Sequence, residues 1–395
     1  MEFLKERLKN GITLVAEKRE LPLVSVLIAT RAGAAHETAL KKGLAHFSEH
    51  MPFKGTTTRS AREISAAIEK VGGVLNAFTS DEITAFWCKL PSRHFSVGSD
   101  IVFDLVNYPK FDVKDIEAER KVILSEIAMY HDNPQWHIFN KIKELLYKKP
   151  FGMSVAGLKE TVSKMNRADF LGWHKYYCPS NLIVSVVGNI DMDEVRDFAR
   201  KFKPAKKAAL PVPSVIRKTG RFIEKRAGLD QTHFALGLHM PCYSEKARYS
   251  SELFNAILGE GMSSRLFQEI REKRGMAYRI HSYLEQEKSY GHAIIFAGIE
   301  KKNIMKVREL ALKEIKGMAG INSRDAEEAK EQKIGNWSLN LESCDETSRM
   351  LAMQEMSTKA EDLYDYPERI SAVKLEDIRK MARIKSYSLA VLAPK

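Results

Sequence analysis

A chain of 395 residues is too long for one ordinary domain, and its hydrophobic fraction of 44% can supply two globular cores of about 200 residues each. The four cysteines are scattered without a Cys-x-x-Cys pair, which argues against a disulfide scaffold or a thiolate metal site. The net charge of +12 does not indicate nucleic-acid binding, because Lys and Arg are dispersed among 51 acidic residues and no zinc-finger or RNA-binding motif occurs.

The sequence also carries no sign of membrane targeting. Residues 1–10 are charged throughout and lack the apolar core of a secretory signal. No apolar run along the chain is long enough to span a bilayer. Together with unpaired cysteines, which suit a reducing compartment, these features predict a cytoplasmic protein that binds neither membrane nor nucleic acid.

Strand and helix patterns alternate along the first half of the chain. Ser60 followed by Glu63 has the spacing of a capping box, which predicts the start of a helix. The predicted elements are, in order, a strand at 21–30, a helix at 41–51, a helix from Ser60 to Gly72, a strand at 76–90, helices at 97–106, 113–130 and 167–177, and a strand at 181–188.

In the first of these helices, His46, Glu49 and His50 form the pattern H-x-x-E-H. Histidines four residues apart lie on one helical face, where two neutral imidazoles can fill two corners of a tetrahedral zinc site. Glu49 can then act as a general base on a water at the metal, as in the inverted form of the zincin motif. By itself the pattern also arises by chance on polar helix faces, so further ligands must support it.

A catalytic zinc site needs a third protein ligand, with its fourth position left to water. The predicted helix at 113–130 carries Glu119 and Glu126, which are seven residues apart and therefore share a face. Two such glutamates are also common on solvated helix surfaces. The residue pattern alone therefore leaves open whether either of them contributes to a metal site.

The combination resembles the inverzincin peptidases of the M16 (pitrilysin) family, in particular the short-chain branch that includes the mitochondrial processing peptidases. The family's third ligand is a Glu 76 residues after the second His, and Glu126 lies at that distance from His50. The resemblance implies one zinc ion per chain, held by His46, His50 and Glu126. Glu119 matches an acidic residue that the family carries seven positions earlier, which implies a supporting catalytic role.

Two further segments resemble substrate-binding parts of the family. Residues 72–80 resemble its edge strand, which implies that an extended peptide adds to the strand through main-chain hydrogen bonds at Asn76, Ala77, Phe78 and Thr79. Residues 259–278 resemble a C-terminal segment in which an Arg and a Tyr contact the substrate. Arg271 and Tyr278 match that pair, and Tyr278 would stabilise the oxyanion. The residues alone also fit a capped helix followed by a core strand.

The second half of the chain repeats the element order of the first. The helix and strand at 374–392 parallel those at 167–187, and the strand at 233–239 corresponds to the strand at 21–30. We therefore predict an α+β fold of two homologous domains in tandem, each a mostly antiparallel sheet packed with helices. The predicted ranges are 1–205 for a zinc-binding domain, 206–220 for a basic linker and 221–395 for a domain without a metal site.

The resemblance implies a zinc-dependent endopeptidase for short or unfolded peptides. Family members of this length pair so that each chain forms half of a clamshell chamber. Because this chain carries both motifs, we expect a homodimer in which Arg271 and Tyr278 complete the zinc site of the partner. A catalytically silent structural subunit and a peptide-binding chamber with slow hydrolysis remain the alternatives. The same nitrogen and oxygen ligands also accept manganese or cobalt.

Overall fold

Two β-sheets organise the chain. A computed structural model describes residues 2–395, which divide into two compact units. Unit 1 consists of the residues up to Ala128 together with Ser154–Pro213 and Leu339–Leu363, and unit 2 consists of Met129–Met153, Ser214–Ser338 and Tyr364–Lys395. Both units combine helices with a mostly antiparallel sheet, so the predicted α+β fold of two tandem domains is confirmed.

The sheet of unit 1 has six strands in the order β1-β2-β6-β3-β5-β4. Every neighbouring pair is antiparallel except β2 and β6, which are parallel. The strands are β1 (Glu2–Arg7), β2 (Thr13–Lys18), β3 (Leu23–Thr30), β4 (Val74–Thr79), β5 (Thr84–Pro91) and β6 (Leu182–Gly188).

The sheet of unit 2 has five strands in the order β7-β11-β8-β10-β9. Its one parallel pair is β7 with β11, and the other neighbours are antiparallel. The strands are β7 (Arg221–Arg226), β8 (Thr232–Met240), β9 (Ala277–Gln286), β10 (Gly291–Ile299) and β11 (Ser388–Pro394). This order matches β2-β6-β3-β5-β4 of unit 1 strand for strand, including the position of the parallel pair, as expected for two copies of one unit.

Helices cover both sheets. They are, in chain order, α1 (Leu44–His50), α2 (Ala61–Glu69), α3 (Phe95–Asn107), α4 (Val113–Asp132), α5 (Pro134–Leu146), α6 (Lys159–Val162), α7 (Arg167–His174), α8 (Met192–Arg200), α9 (Arg248–Gly259), α10 (Ile304–Gly317), α11 (Ser323–Leu341), α12 (Cys344–Ser357), α13 (Tyr366–Ser371) and α14 (Leu375–Lys380). Within residues 2–395, no helix combines the length and the apolar character needed to cross a bilayer.

Each unit includes one helix from the other half of the sequence. In unit 1, α12 packs against β3 and β6, and Ser348 Oγ lies 3.0 Å from Ser25 Oγ on β3. In unit 2, α5 packs against β8 and β11. The compact units are therefore discontinuous, and they differ from the contiguous ranges 1–205, 206–220 and 221–395. Sequence position alone does not tell which sheet an amphipathic helix covers.

The predicted strand at 76–90 is a hairpin rather than one strand. β4 and β5 are joined by a tight turn in which the Ser80 N–H donates to the Ile83 carbonyl at 2.8 Å. The polar residues Asp81 and Glu82 occupy its two central positions. As a result, β4 lies at the outer edge of the unit 1 sheet, with β5 on its inner side.

Candidate metal centre

The helix that carries H-x-x-E-H begins at a glycine where a side chain would be strained. Gly43 has φ +98°, and a Cβ at this position would lie 2.8 Å from the backbone oxygen of Ala156. The buried carboxylate of Glu37 accepts the N–H of Gly43 at 3.1 Å and that of Ala45 at 2.6 Å. These bonds satisfy amides that the first turn of a helix leaves without intrahelical partners, so they fix where α1 begins.

One face of α1 packs into the core, and another carries the two histidines. Phe47 is fully buried in the core of unit 1, and its ring meets that of Phe170 edge to face at 4.8 Å. His46 and His50 lie on another face with 12% and 26% of their side chains exposed, and their ring centroids are 4.7 Å apart. The core contact of Phe47 therefore presents the two histidines side by side.

Glu126, from α4, meets both histidines. Its Oε1 lies 3.6 Å from Nε2 of His46, and its Oε2 lies 3.9 Å from Nε2 of His50. One ligand atom from each of the three residues falls within 4.8 Å of the others, close enough for a single ion to contact all three. Two imidazoles and one carboxylate form the donor set of catalytic zinc sites in which the fourth position stays open. The residues therefore fit a zinc ion.

Glu119 lies on α4 about two helical turns before Glu126, and it supports this arrangement. Its Oε1 lies 2.9 Å from Nδ1 of His50, and its Oε2 lies 2.5 Å from Nζ of Lys54. Burial raises the pKa of Glu119, but the hydrogen bonds from His50 and Lys54 outweigh this effect and hold the pKa below its usual value. Glu119 is therefore an acceptor, so His50 Nδ1 carries the hydrogen and Nε2 keeps its lone pair for a metal.

The two histidines differ in their affinity for protons. Burial, assisted by the neighbouring His50, lowers the pKa of His46 to about 4. Burial also lowers the pKa of His50, but the hydrogen bond to Glu119 and the charges of nearby carboxylates outweigh it, and the pKa is raised. As the pH falls, His50 therefore takes up a proton before His46 does. A proton thus competes with a metal ion at His50 rather than at His46.

Glu49 lies between the two histidines in the sequence and is 8% exposed. Burial raises its pKa to about 6, although a hydrogen bond from Thr79 opposes this shift. The Thr79 hydroxyl lies 2.6 Å from Glu49 Oε2. A buried carboxylate that is ionised at neutral pH and becomes protonated near pH 6 has the properties of a general base.

The predicted substrate strand lies in the same unit as this site. Asn76, Ala77, Phe78 and Thr79 form the last four residues of β4, on the outer edge of the sheet. The Ala77 N–H donates to the Asn76 side-chain oxygen at 2.8 Å, so it does not bond to β5. This amide faces outward, and a strand that adds to the edge would take the place of the Asn76 side chain as its acceptor.

Arg271 and Tyr278 form a separate pair in unit 2. Arg271 lies on a π-helical turn, Phe267–Glu272, and its guanidinium stands 4.7 Å from the Phe267 ring and 5.4 Å from the Tyr278 ring. Tyr278 is the second residue of β9 and is 83% exposed. Tyr278 therefore lies on a strand, but it points away from the core.

Two residues that contact the site were not predicted from the sequence, Lys54 and Thr79. Lys54, the counterion of Glu119, lies four residues after His50, which is a spacing that brings side chains together on a helical path. That spacing could have indicated Lys54 once Glu119 was considered. The contact of the Thr79 side chain with Glu49 had no local signal, because it joins a helix to an edge strand thirty positions further on.

Comparison with known proteins identifies the family. The family model described as Insulinase (Peptidase family M16) matches residues 13–158, and the model described as Peptidase M16 inactive domain matches residues 164–333. The uncharacterized zinc protease YmxG of Bacillus subtilis is 31% identical over 98% of this chain and 97% of its own length. The chain belongs to peptidase family M16.

Two further proteins are similar to this chain. An uncharacterized zinc protease of Mycobacterium leprae is 33% identical over 98% of this chain and 91% of its own length. The crystal structure of a protease from Helicobacter pylori has a TM-score of 0.92 and covers 100% of this chain and 99% of its own, at 22% identity, which supports the fold. The M16 model described as inactive matches the part of the chain that lacks H-x-x-E-H.

Proposed function

We propose that this chain is a zinc-dependent endopeptidase that cleaves short or unfolded peptides. The observation that carries the proposal is the convergence of His46, His50 and Glu126 within 4.8 Å, beside the buried carboxylate of Glu49. These three ligands would hold the zinc ion, one per chain. When bound, zinc would supply Lewis acidity to the scissile carbonyl and to the attacking water.

Glu49 would move the proton in this reaction. As the water oxygen bonds to the peptide carbonyl carbon, Glu49 takes a proton from that water. The same proton then passes to the amide nitrogen as the C–N bond breaks and the amine leaves. Because the pKa of Glu49 is about 6, the carboxylate is in its basic form at neutral pH. Glu119 and Lys54 would hold His50 in its ligand tautomer throughout.

The edge strand β4 would bind the peptide by β-augmentation. Within Asn76–Thr79, the outward-facing main-chain groups of Ala77 and Thr79 would pair with an extended segment, and such pairing requires little sequence specificity. A folded protein rarely presents an unpaired extended segment, so folded substrates should resist cleavage. This mode of binding therefore favours short or unfolded polypeptides.

We further propose a homodimer that encloses a chamber, in which Arg271 and Tyr278 complete the metal site of the partner. The Tyr278 side chain is 83% exposed, so its ring and hydroxyl are accessible to a partner chain or a peptide, as this role requires. In a dimer of this kind, each site would depend on residues from both chains.

Mixing two inactive variants tests the exchange between chains. Glu49→Gln and Tyr278→Phe, purified separately and then allowed to exchange subunits, would form heterodimers with one intact site each. Random exchange predicts recovery of about a quarter of the wild-type activity. No recovery, despite subunit exchange measured with labelled chains, would contradict completion in trans.

Removal and return of metal test the proposed activity itself. A strong chelator should abolish cleavage of a fluorescent unstructured peptide, and one equivalent of zinc per chain should restore it. The same protein, reloaded with manganese or cobalt, identifies the metals that support turnover. If the zinc-loaded chain binds peptides but cleaves none in a varied pool, the silent peptide-binding subunit becomes the better description.

A further inference from the structure

The side chain of Thr79 joins the substrate strand to the general base. Its hydroxyl lies 2.6 Å from Glu49 Oε2 and 3.3 Å from the Thr84 hydroxyl. Thr84 Oγ1 lies 2.9 Å from the Ala32 carbonyl oxygen, to which it donates its only hydrogen. The Thr79 hydroxyl also has a single hydrogen, and the shorter distance to a carboxylate directs that hydrogen to Glu49.

This bond leaves the two oxygens of Glu49 in different situations. Oε2 is held by Thr79, whereas Oε1 accepts no hydrogen bond from any residue in the described range 2–395. One oxygen is thus anchored, and the other remains available to a proton. A hydrogen bond to one oxygen of a carboxylate restricts the rotation of the group, which suits a base that must be aimed at one position.

The main chain of Thr79 faces the free edge of the sheet. The bond from Ser80 N–H to the Ile83 carbonyl makes those two residues a hydrogen-bonded pair of the hairpin. Because such pairs alternate in an antiparallel ladder, Thr79 and Thr84 form a non-hydrogen-bonded pair, and the N–H and C=O of Thr79 point outward. The bond from Ala77 N–H to the Asn76 side chain agrees with this alternation.

We propose that Thr79 is a positioning residue for Glu49 and that it couples the register of the bound peptide to the orientation of the base. The inference rests on the proposed peptidase function. The main-chain groups of Thr79 would pair with the peptide, while its hydroxyl holds Glu49 Oε2. A peptide in the correct register is thereby bound by the same residue that aims the base.

Two substitutions at Thr79 separate this role from a structural one. Thr79→Val keeps the shape and the main-chain groups but removes the donor, and we expect kcat to fall roughly 10- to 100-fold with KM changed by less than about twofold. Thr79→Ser keeps the donor and should restore kcat to within about threefold of wild type. Both variants should retain the zinc content of the wild type, measured by elemental analysis.

Thr84→Val is the matched control, because it makes the same isosteric change across the hairpin without removing the donor to Glu49. It should lower thermal stability yet preserve kcat better than Thr79→Val. A Thr79→Val enzyme with wild-type kcat, or with a raised KM and an unchanged kcat, would overturn the inference. So would a Thr79→Ser enzyme as slow as Thr79→Val. A wild-type chain that cleaves no peptide would overturn the proposed function and this inference with it.

Discussion

His50 donates its Nδ1 hydrogen to Glu119, whose Oε1 lies 2.9 Å away. The direction of this bond follows from Lys54, which holds the other carboxylate oxygen and keeps Glu119 ionised. His50 therefore presents Nε2, with its lone pair, toward Glu126. The chain thus fixes the tautomer of one proposed ligand through residues that do not themselves contact the metal.

The first prediction concerns Glu119. Glu119→Gln should weaken zinc affinity by about 10- to 100-fold, because the neutral amide is a weaker acceptor for His50 and leaves Lys54 without its counterion. Competition against a fluorescent zinc chelator measures the effect. Glu117→Gln, the same change at an exposed position of α4, is the control and should leave the affinity unchanged. Equal affinities for the Glu119 variant and the wild type would contradict the supporting role.

The second prediction concerns pH. The pKa of His50 is raised above its ordinary value, and zinc requires the neutral imidazole. Zinc affinity should therefore be constant above this raised pKa and fall about tenfold for each pH unit below it, with one proton released on binding. Glu119→Gln removes a main cause of the raised pKa, so the fall should begin at a lower pH. Calorimetry in buffers of different ionisation enthalpy measures the proton release, and an affinity that is the same at acidic and neutral pH would contradict this prediction.

The third prediction concerns the start of α1. Gly43→Ala should destabilise the protein by about 1–3 kcal/mol, because the positive φ and the backbone of Ala156 both oppose a Cβ. Gly172→Ala is the control: this glycine lies in α7, where an added Cβ would meet open space in the described part of the chain, so alanine should stabilise by about 0.5–1 kcal/mol. Denaturant unfolding of the two variants should give changes of opposite sign. A neutral Gly43→Ala would show that α1 tolerates another entry geometry.

Local signals in the sequence predicted those parts of the molecule that depend on neighbouring residues. The capping box at Ser60 begins α2 as predicted, with the Glu63 side chain 2.8 Å from the Ser60 amide. The spacing of His46 and His50 placed both on one face of α1, although the helix begins at Leu44 rather than 41. Such features depend on periodicity and capping, which a sequence displays directly.

Features set by tertiary structure were not predictable in this way. The hairpin at 76–90 is an exception, because Ser80 and Asp81 are residue types that favour turns, and the prediction of a single strand missed that local signal. The exchange of α5 and α12 between the sequence halves depends on which sheet face each helix covers. The bond between Thr79 and Glu49 needs that hairpin before it can form. Contacts between distant elements carry no local pattern.

The most direct test of the central claim compares the wild type with Glu49→Gln in the hydrolysis of an unstructured peptide, with the zinc content of both proteins measured. Glu69→Gln, at an exposed position of α2, serves as the control. We predict that Glu49→Gln retains about one zinc per chain and loses about 100- to 10,000-fold in kcat/KM, while the control cleaves like the wild type. A Glu49→Gln protein that is loaded with zinc and cleaves the peptide at the wild-type rate would contradict the assignment of Glu49 as the general base and, with it, the proposed mechanism.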